Sequence, residues 1–190
     1  MTPVPAEREL FQFRSIDPVL DADILHSWVT QERSRFWGML AASRQDVENE
    51  YRQIAGLAHH DAFLGLEAGV PAFLMERYLP ALSPLCNVYS VERGDVGMHF
   101  LVGPPCGGKR HGYTLSVLKA IMEKLFSDLE VERIVVEPDI RNHKVHALNA
   151  KVGFRPRGTV TLPAVEPFQE SKQALLGFCS RRDFLATFSS

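Results

Sequence analysis

The chain has 190 residues, 45% of them hydrophobic, and its 21 Lys and Arg against 23 Asp and Glu leave a net charge of −2, which gives nucleic acid no broad electrostatic footing. No apolar run approaches a membrane span and residues 1–9 lack the apolar core of a signal peptide; Cys86, Cys106 and Cys179 show no paired spacing and an odd count, against a disulfide framework or a zinc site. The expectation is a single cytoplasmic domain over residues 1–190, with 1–9 a flexible N-terminal segment, no metal, no membrane and no nucleic acid.

Residues 10–17 alternate apolar and polar and predict a strand ended by Pro18. Leu20, Ile24, Leu25 and Trp28 fall at helical spacing over 19–31; Val47, Tyr51, Ile54 and Leu57 predict a second helix capped by Ser43. Two strands follow around a hairpin turn at Glu67-Ala68-Gly69. "DVGMHFLV" is a strand with a buried centre, and residues 113–126 form a helix whose stripe is Leu115, Leu118, Ile121, Met122 and Leu125. "ERIVVEP" is a buried strand; 142–152 is a helix stopped by a left-handed Gly153; strands near 158–162 and 173–179 complete the series. The order β-α-α-β-β-β-α-β-α-β-β predicts a mixed α/β (α+β) sheet of about seven strands with helices on its faces.

The segment Gly103-Pro-Pro-Cys-Gly-Gly108-Lys109 spells a nucleotide P-loop, but fits one poorly. Arg110 stands where the Ser/Thr magnesium ligand belongs, and Pro104 and Pro105 remove two backbone N–H groups from the cradle. Lys109-Arg110-His111-Gly112-Tyr113-Thr114 fits a different cradle, because a helix N terminus offers free N–H donors and a partial positive charge, and Gly112 lets phosphate approach the backbone. This loop resembles the Gln/Arg-x-x-Gly-x-Gly/Ala loop of the GCN5-related N-acetyltransferases (GNAT), with Lys109 for Gln/Arg and Thr114 for the second small residue. The resemblance implies that residues 109–114 hold the pyrophosphate of acyl-CoA, and that the fourth and fifth strands splay into a V. "NHKVHALNAKVGF" resembles that fold's Asn-x-x-Ala-x-x-Leu-Tyr-x-x-x-Gly-Phe helix. It keeps Asn142, Leu148, Gly153 and Phe154, and puts Asn149 where many members place the Tyr that protonates the leaving thiolate. Asn142 and Asn149 join the expected cofactor-binding set on this likeness.

"GDVGMHFLVGP", "VVEPDIRN" and "LNAKVGF" together resemble the siderophore-biosynthesis acyltransferases, above all the desferrioxamine-pathway branch acting on N-hydroxycadaverine. The likeness implies transfer of acetyl or succinyl from acyl-CoA to a hydroxylamine nitrogen, giving a hydroxamate, alongside an amine N-monooxygenase and a siderophore synthetase. It implies a catalytic pair of His99 and Asp139, with His99 accepting the nucleophile's proton and Asp139 orienting the N-hydroxyl or serving as the base. An N6-hydroxylysine acceptor is the alternative within the fold; it would favour an Arg in the pocket, such as Arg35 or Arg77. A non-catalytic acyl-CoA-binding sensor is the alternative outside it. Phe36 and Trp37 are candidate walls of the acceptor pocket, with aromatic core packing as the other reading. Glu76 and Asp95 are candidate partners for a distal ammonium. His59-His60-Asp61 has the residue types of a metal or acid–base cluster, but adjacent side chains diverge, so a helix end is the better reading.

Overall fold

The computed structural model describes residues 10–105, 107, 108, 110–165, 167, 168 and 170–188. Lys109, Cys106 and residues 1–9, about which the sequence raised expectations, lie outside them. Seven strands form one sheet: β1 (Phe11–Ser15), β2 (His60–Glu67), β3 (Val70–Tyr78), β4 (Asp95–Val102), β5 (Arg133–Val136), β6 (Arg155–Leu162) and β7 (Lys172–Ser180). Their order across the sheet is β1-β2-β3-β4-β5-β7-β6, antiparallel throughout except for β4 beside β5. Five α-helices among the described residues accompany it: α1 (Ala22–Val29), α2 (Arg44–Ala55), α3 (Tyr113–Phe126), α4 (His143–Lys151) and α5 (Arg181–Ala186). None is long and apolar enough to cross a membrane among the described residues.

Strand alternation divides the core. Phe73, Met75, Val96, Met98, Ile134 and Val136 face α3, whose Val117, Leu118, Ile121 and Met122 are fully buried against them. The opposite face sends Leu64 and Leu74 under α1 and α2, and Tyr78 and Val135 into a separate apolar cluster with Leu176. Between these two clusters the same face carries Glu76, His99 and Glu137.

Local chemistry sets the element ends. Ser43 caps α2 in a capping box with Asp46. Asp17 accepts from the N–H groups of Val19 and Leu20, and this turn delays α1 to Ala22, three residues beyond the predicted start. After α1 the chain takes a 3₁₀ turn over Glu32–Trp37. Gly153 ends α4 at φ +96°, and a side chain there would meet the Asp183 backbone. Residues 59–61 are not a helix end: α2 stops at Ala55, and His60 opens β2 opposite Tyr78.

Candidate active site

The parallel ladder between β4 and β5 spans only Asp95↔Arg133, Val96↔Ile134 and Gly97↔Val135. Past Gly97, β4 continues against β3 to Val102, while β5 follows β7, so the two strands part. Gly103 N–H donates to Ala72 O at 2.8 Å. In an antiparallel ladder this places 97, 99 and 101 in bonded pairs with β3 and turns the backbone groups of Met98, Phe100 and Val102 to the wedge. Arg33 Nη2 accordingly reaches Val102 O at 2.9 Å. Pro138 does not end the pairing with β7. Leu175 N–H donates to its carbonyl and Asp139 bridges Ala174.

His99 stands where the strands part, directly across from Glu76 on β3. Its Nδ1 lies 3.3 Å from Glu76 Oε2 and its Nε2 2.5 Å from Glu137 Oε1. Both carboxylates are buried. An imidazole with a carboxylate at each nitrogen is satisfied only when both nitrogens carry protons. Burial opposes that charge, but Glu137 and then Glu76 outweigh it and raise the His99 pKa to about 9. Reciprocally, burial pushes both carboxyls up, while His60 and His99 hold Glu76, and His99 and Lys172 hold Glu137, down at about 2. Glu76 also accepts from Tyr51 OH at 3.2 Å, with His60 Nε2 3.6 Å away. Glu137 accepts from Tyr78 OH at 2.9 Å, with Lys172 Nζ at 3.8 Å. Gly97 makes this possible: a Cβ there would lie 2.1 Å from the Tyr78 ring.

Thus His99 is where the sequence placed it, but its partners are Glu76 and Glu137, not Asp139. Asp139 is bound by Arg141 through Nε at 2.8 Å and Nη2 at 2.7 Å, which holds its pKa below the usual carboxylate range. Arg141 lies over the Phe36 ring and the Trp37 ring sits edge-on to His99, so both aromatic candidates border this face. Asp95 is taken by Arg133 (2.7 and 2.8 Å) and Tyr89, leaving it no role toward an ammonium. Arg77, on the α3 face, is taken by Asp128.

Helix α3 has Gly112 as its N-cap, at φ +78°, with no side-chain cap bond and no acidic residue in its first turn. Among the described residues, nothing lies within 4 Å of where a Gly112 side chain would stand. No side chain of the helix itself caps or compensates this N terminus, a fit for phosphate. Thr114 follows in the first turn and His111 is exposed just before it. Arg110 is not free to add charge, since Glu67 holds both its Nη atoms. Asn142 is the N-cap of α4, its side chain accepting from Val145 N–H, and so belongs to that helix. Asn149 is buried with Oδ1 lacking a hydrogen-bond partner among the described residues, which suits a donor arriving with a ligand.

Glu137, and the convergence of Glu76 on His99 with His60 behind Glu76, escaped sequence reasoning. One local signal existed, a carboxylate directly after the apolar run of β5, where a charge needs a buried partner.

The model of the acetyltransferase (GNAT) domain matches residues 17–162. The chain is similar to an N(6)-hydroxylysine O-acetyltransferase of Escherichia coli, 27% identical over 153 residues, 80% of this chain and 48% of that protein. It is similar to an N-hydroxyputrescine acetyltransferase of Acinetobacter baumannii (strain ATCC 17978), 26% identical over 110 residues, 58% of this chain and 49% of that one. The chain thus spans about half the length of these curated relatives. Its fold superposes on AAC(6')-Ib, solved with ribostamycin and coenzyme A, at a TM-score of 0.77 and 21% identity, covering 92% of this chain and 96% of that one. With the parted β4 and β5, the open start of α3 and a family model spanning most of the sequence, the chain belongs to the GNAT acetyltransferase domain family.

Proposed function

We propose that this chain is an acyl-CoA-dependent N-acyltransferase that acylates the hydroxylamine nitrogen of an N-hydroxylated diamine, using acetyl- or succinyl-CoA. The observation that carries this reading is the saturation of His99: both ring nitrogens face carboxylates, so this imidazole is not a free base. An alkyl amine is almost wholly protonated at neutral pH and needs such a base. A hydroxylamine nitrogen is already neutral and does not. The names of both curated relatives point to N-hydroxylated acceptors.

The open N–H groups of α3 hold the pyrophosphate, the backbone of β4 facing the wedge receives the thioester oxygen, and Asn149 Oδ1 accepts a hydrogen bond from the pantetheine arm. The nitrogen attacks the thioester carbon, the C–S bond breaks, the nitrogen loses one proton and the thiolate gains one. Asn149 cannot supply that proton. His99, protonated and with 39% of its side chain exposed, can donate from Nδ1, where the contact to Glu76 is the longer, and then recover the proton released by nitrogen. This reverses the order in which a resting base would act. Asp139, held by Arg141 beside Phe36, accepts the hydrogen bond of the N-hydroxyl. A diamine derivative is favoured over N6-hydroxylysine because Arg77 lies on the other face and Arg141 is bound to Asp139; Arg35, over the Phe36 ring and 3.9 Å from Glu32, is the one named arginine left for a carboxylate. Such a product fits hydroxamate siderophore assembly in the cytoplasm, after an amine N-monooxygenase and before a synthetase.

The test is a panel of acetyl- and succinyl-CoA crossed with N-hydroxycadaverine, N6-hydroxylysine, cadaverine and lysine, read by mass spectrometry. Hydroxamate from N-hydroxycadaverine, with little from the parent amine, is the expected result. Equal turnover of cadaverine would sink the hydroxylamine assignment, and CoA binding without turnover would favour a sensor.

A further inference from the structure

The loop between β4 and α3 is tied at both ends to one hairpin. At its start, Gly103 N–H donates to Ala72 O in β3 at 2.8 Å. At its end, Arg110 donates through Nη1 and Nη2 to the two oxygens of Glu67, at 2.8 and 2.6 Å, and Tyr113 OH donates to the same carboxylate at 3.1 Å. The Arg110 guanidinium lies over the Tyr113 ring, 3.7 Å from its centroid, and Phe11 backs that ring edge-on. Glu67 is the last residue of β2, paired with Val70 across the Ala68-Gly69 turn. Along this loop Gly107, Gly108 and Gly112 take φ of +83°, +109° and +78°, and among the described residues nothing packs within 4 Å of their Cβ positions. Glycines so placed leave the free loop many conformations, so its order has to come from the ties.

We infer that Glu67 is a positioning residue for acyl-CoA: through Arg110 and Tyr113 it fixes the entry to α3, so that the backbone N–H groups are aimed before the phosphates arrive. The inference rests on the acyl-CoA reading above. The pair is partly exposed, 48% for Arg110 and 34% for Glu67, so it adds little to global stability. Its effect falls on the ordering cost of the loop at binding.

Calorimetry with CoA on the wild type, Glu67→Gln and Tyr113→Phe tests it, together with steady-state kinetics. Glu67→Gln is expected to weaken CoA binding by about tenfold, mainly through entropy. It should raise KM for acyl-CoA, leave kcat and the acceptor KM in place, and keep the melting temperature. Tyr113→Phe should show a smaller loss of the same kind, and the double variant should lose no more than Glu67→Gln alone. Wild-type affinity in Glu67→Gln would make the clasp an idle surface pair. Tighter binding would mean that Glu67 withholds Arg110 from phosphate. Either result overturns the inference while leaving the acyl-CoA reading intact; a wild type that binds no CoA removes that reading and this inference together.

Discussion

Glu137 Oε1 lies 2.5 Å from His99 Nε2 just past the last paired residues of β4 and β5, so the carboxylate after one strand pins the imidazole of the other. Replacing Glu137 with Gln keeps the shape but removes the charge. Burial then works against the imidazolium with Glu76 as its one remaining carboxylate, and the His99 pKa should fall well below 9. Titration of the His99 ring by NMR measures this directly, and the alkaline limb of kcat should move to lower pH with it. An unmoved pKa would mean that Glu76 alone charges the ring.

The same cluster shapes stability against pH. The folded His99 pKa of about 9 lies above its ordinary 6.5, so its contribution is complete below pH 6.5 and is lost as pH rises through 9. Glu76 and Glu137, at about 2 against 4.5, contribute fully above pH 4.5 and lose that contribution as pH falls toward 2. The cluster therefore stabilises most between about pH 4.5 and 6.5. Melting temperatures of the wild type and His99→Gln should differ most near pH 5.5 and converge above pH 9. A gap that widens with alkalinity would show that His99 is neutral in the fold.

Gly97 is small because Tyr78 crosses it. Gly97→Ala would put a methyl 2.1 Å from the Tyr78 ring, and the ring must move and draw its hydroxyl off Glu137. Overpacking of this kind costs about 1–3 kcal/mol, and the hydrogen bond Glu137 loses from Tyr78 adds to it. Gly97→Ala/Tyr78→Ala removes the clash but opens a cavity costing about 3–5 kcal/mol, so it should melt no higher than Gly97→Ala and stay as inactive, since Glu137 still lacks that donor. Full activity in Gly97→Ala would remove the Tyr78–Glu137 contact from the mechanism.

Gly112 separates strain from obstruction. A Val there meets open space but is forced to φ +78°, which favours Gly and tolerates Asn. Both Gly112→Val and Gly112→Asn place atoms in the path of the pyrophosphate, and both should weaken CoA binding at least tenfold by calorimetry. Only the Val variant should lose about 1–3 kcal/mol of stability in denaturant melts. Unchanged CoA affinity in the folded Asn variant would mean the cradle lies elsewhere.

What could be read beforehand was what is local. The stripe of α3, the Ser43 cap, the hairpin turn and the left-handed Gly153 each follow from a few neighbouring residues, and each stands in the fold. Helix α5 was missed although Ser180 and Asp183 form an N-terminal cap, because six residues carry too little apolar period to register. His99 was reached through a motif, but Glu76 meets it only because β3 and β4 pair in one register, and Glu137 only because β5 leaves that ladder two residues earlier. Register and splay are tertiary facts, and no spacing along the chain encodes them.

The partnering of His99 changes what a double-mutant cycle should show. Had His99 and Asp139 shared one proton-transfer unit, their substitutions would be non-additive. The structure joins His99 to Glu137, and Asp139 to Arg141. Accordingly His99→Gln and Glu137→Gln should each lower kcat by roughly 10²–10⁴-fold, and the double variant should fall little further than the worse single one. Asp139→Asn keeps one oxygen for the N-hydroxyl and loses the charge, so it should cost less, about tenfold, chiefly in the acceptor KM. Combined with His99→Gln it should multiply, because the two act on different atoms of the acceptor through separate partners. CoA affinity should hold in all of these, its phosphates being bound at α3. Coupling between His99 and Asp139 as strong as that between His99 and Glu137 would show that substrate binding rearranges the cluster and restores the pair the sequence first suggested; a fully active Asp139→Asn enzyme would take Asp139 out of the chemistry altogether.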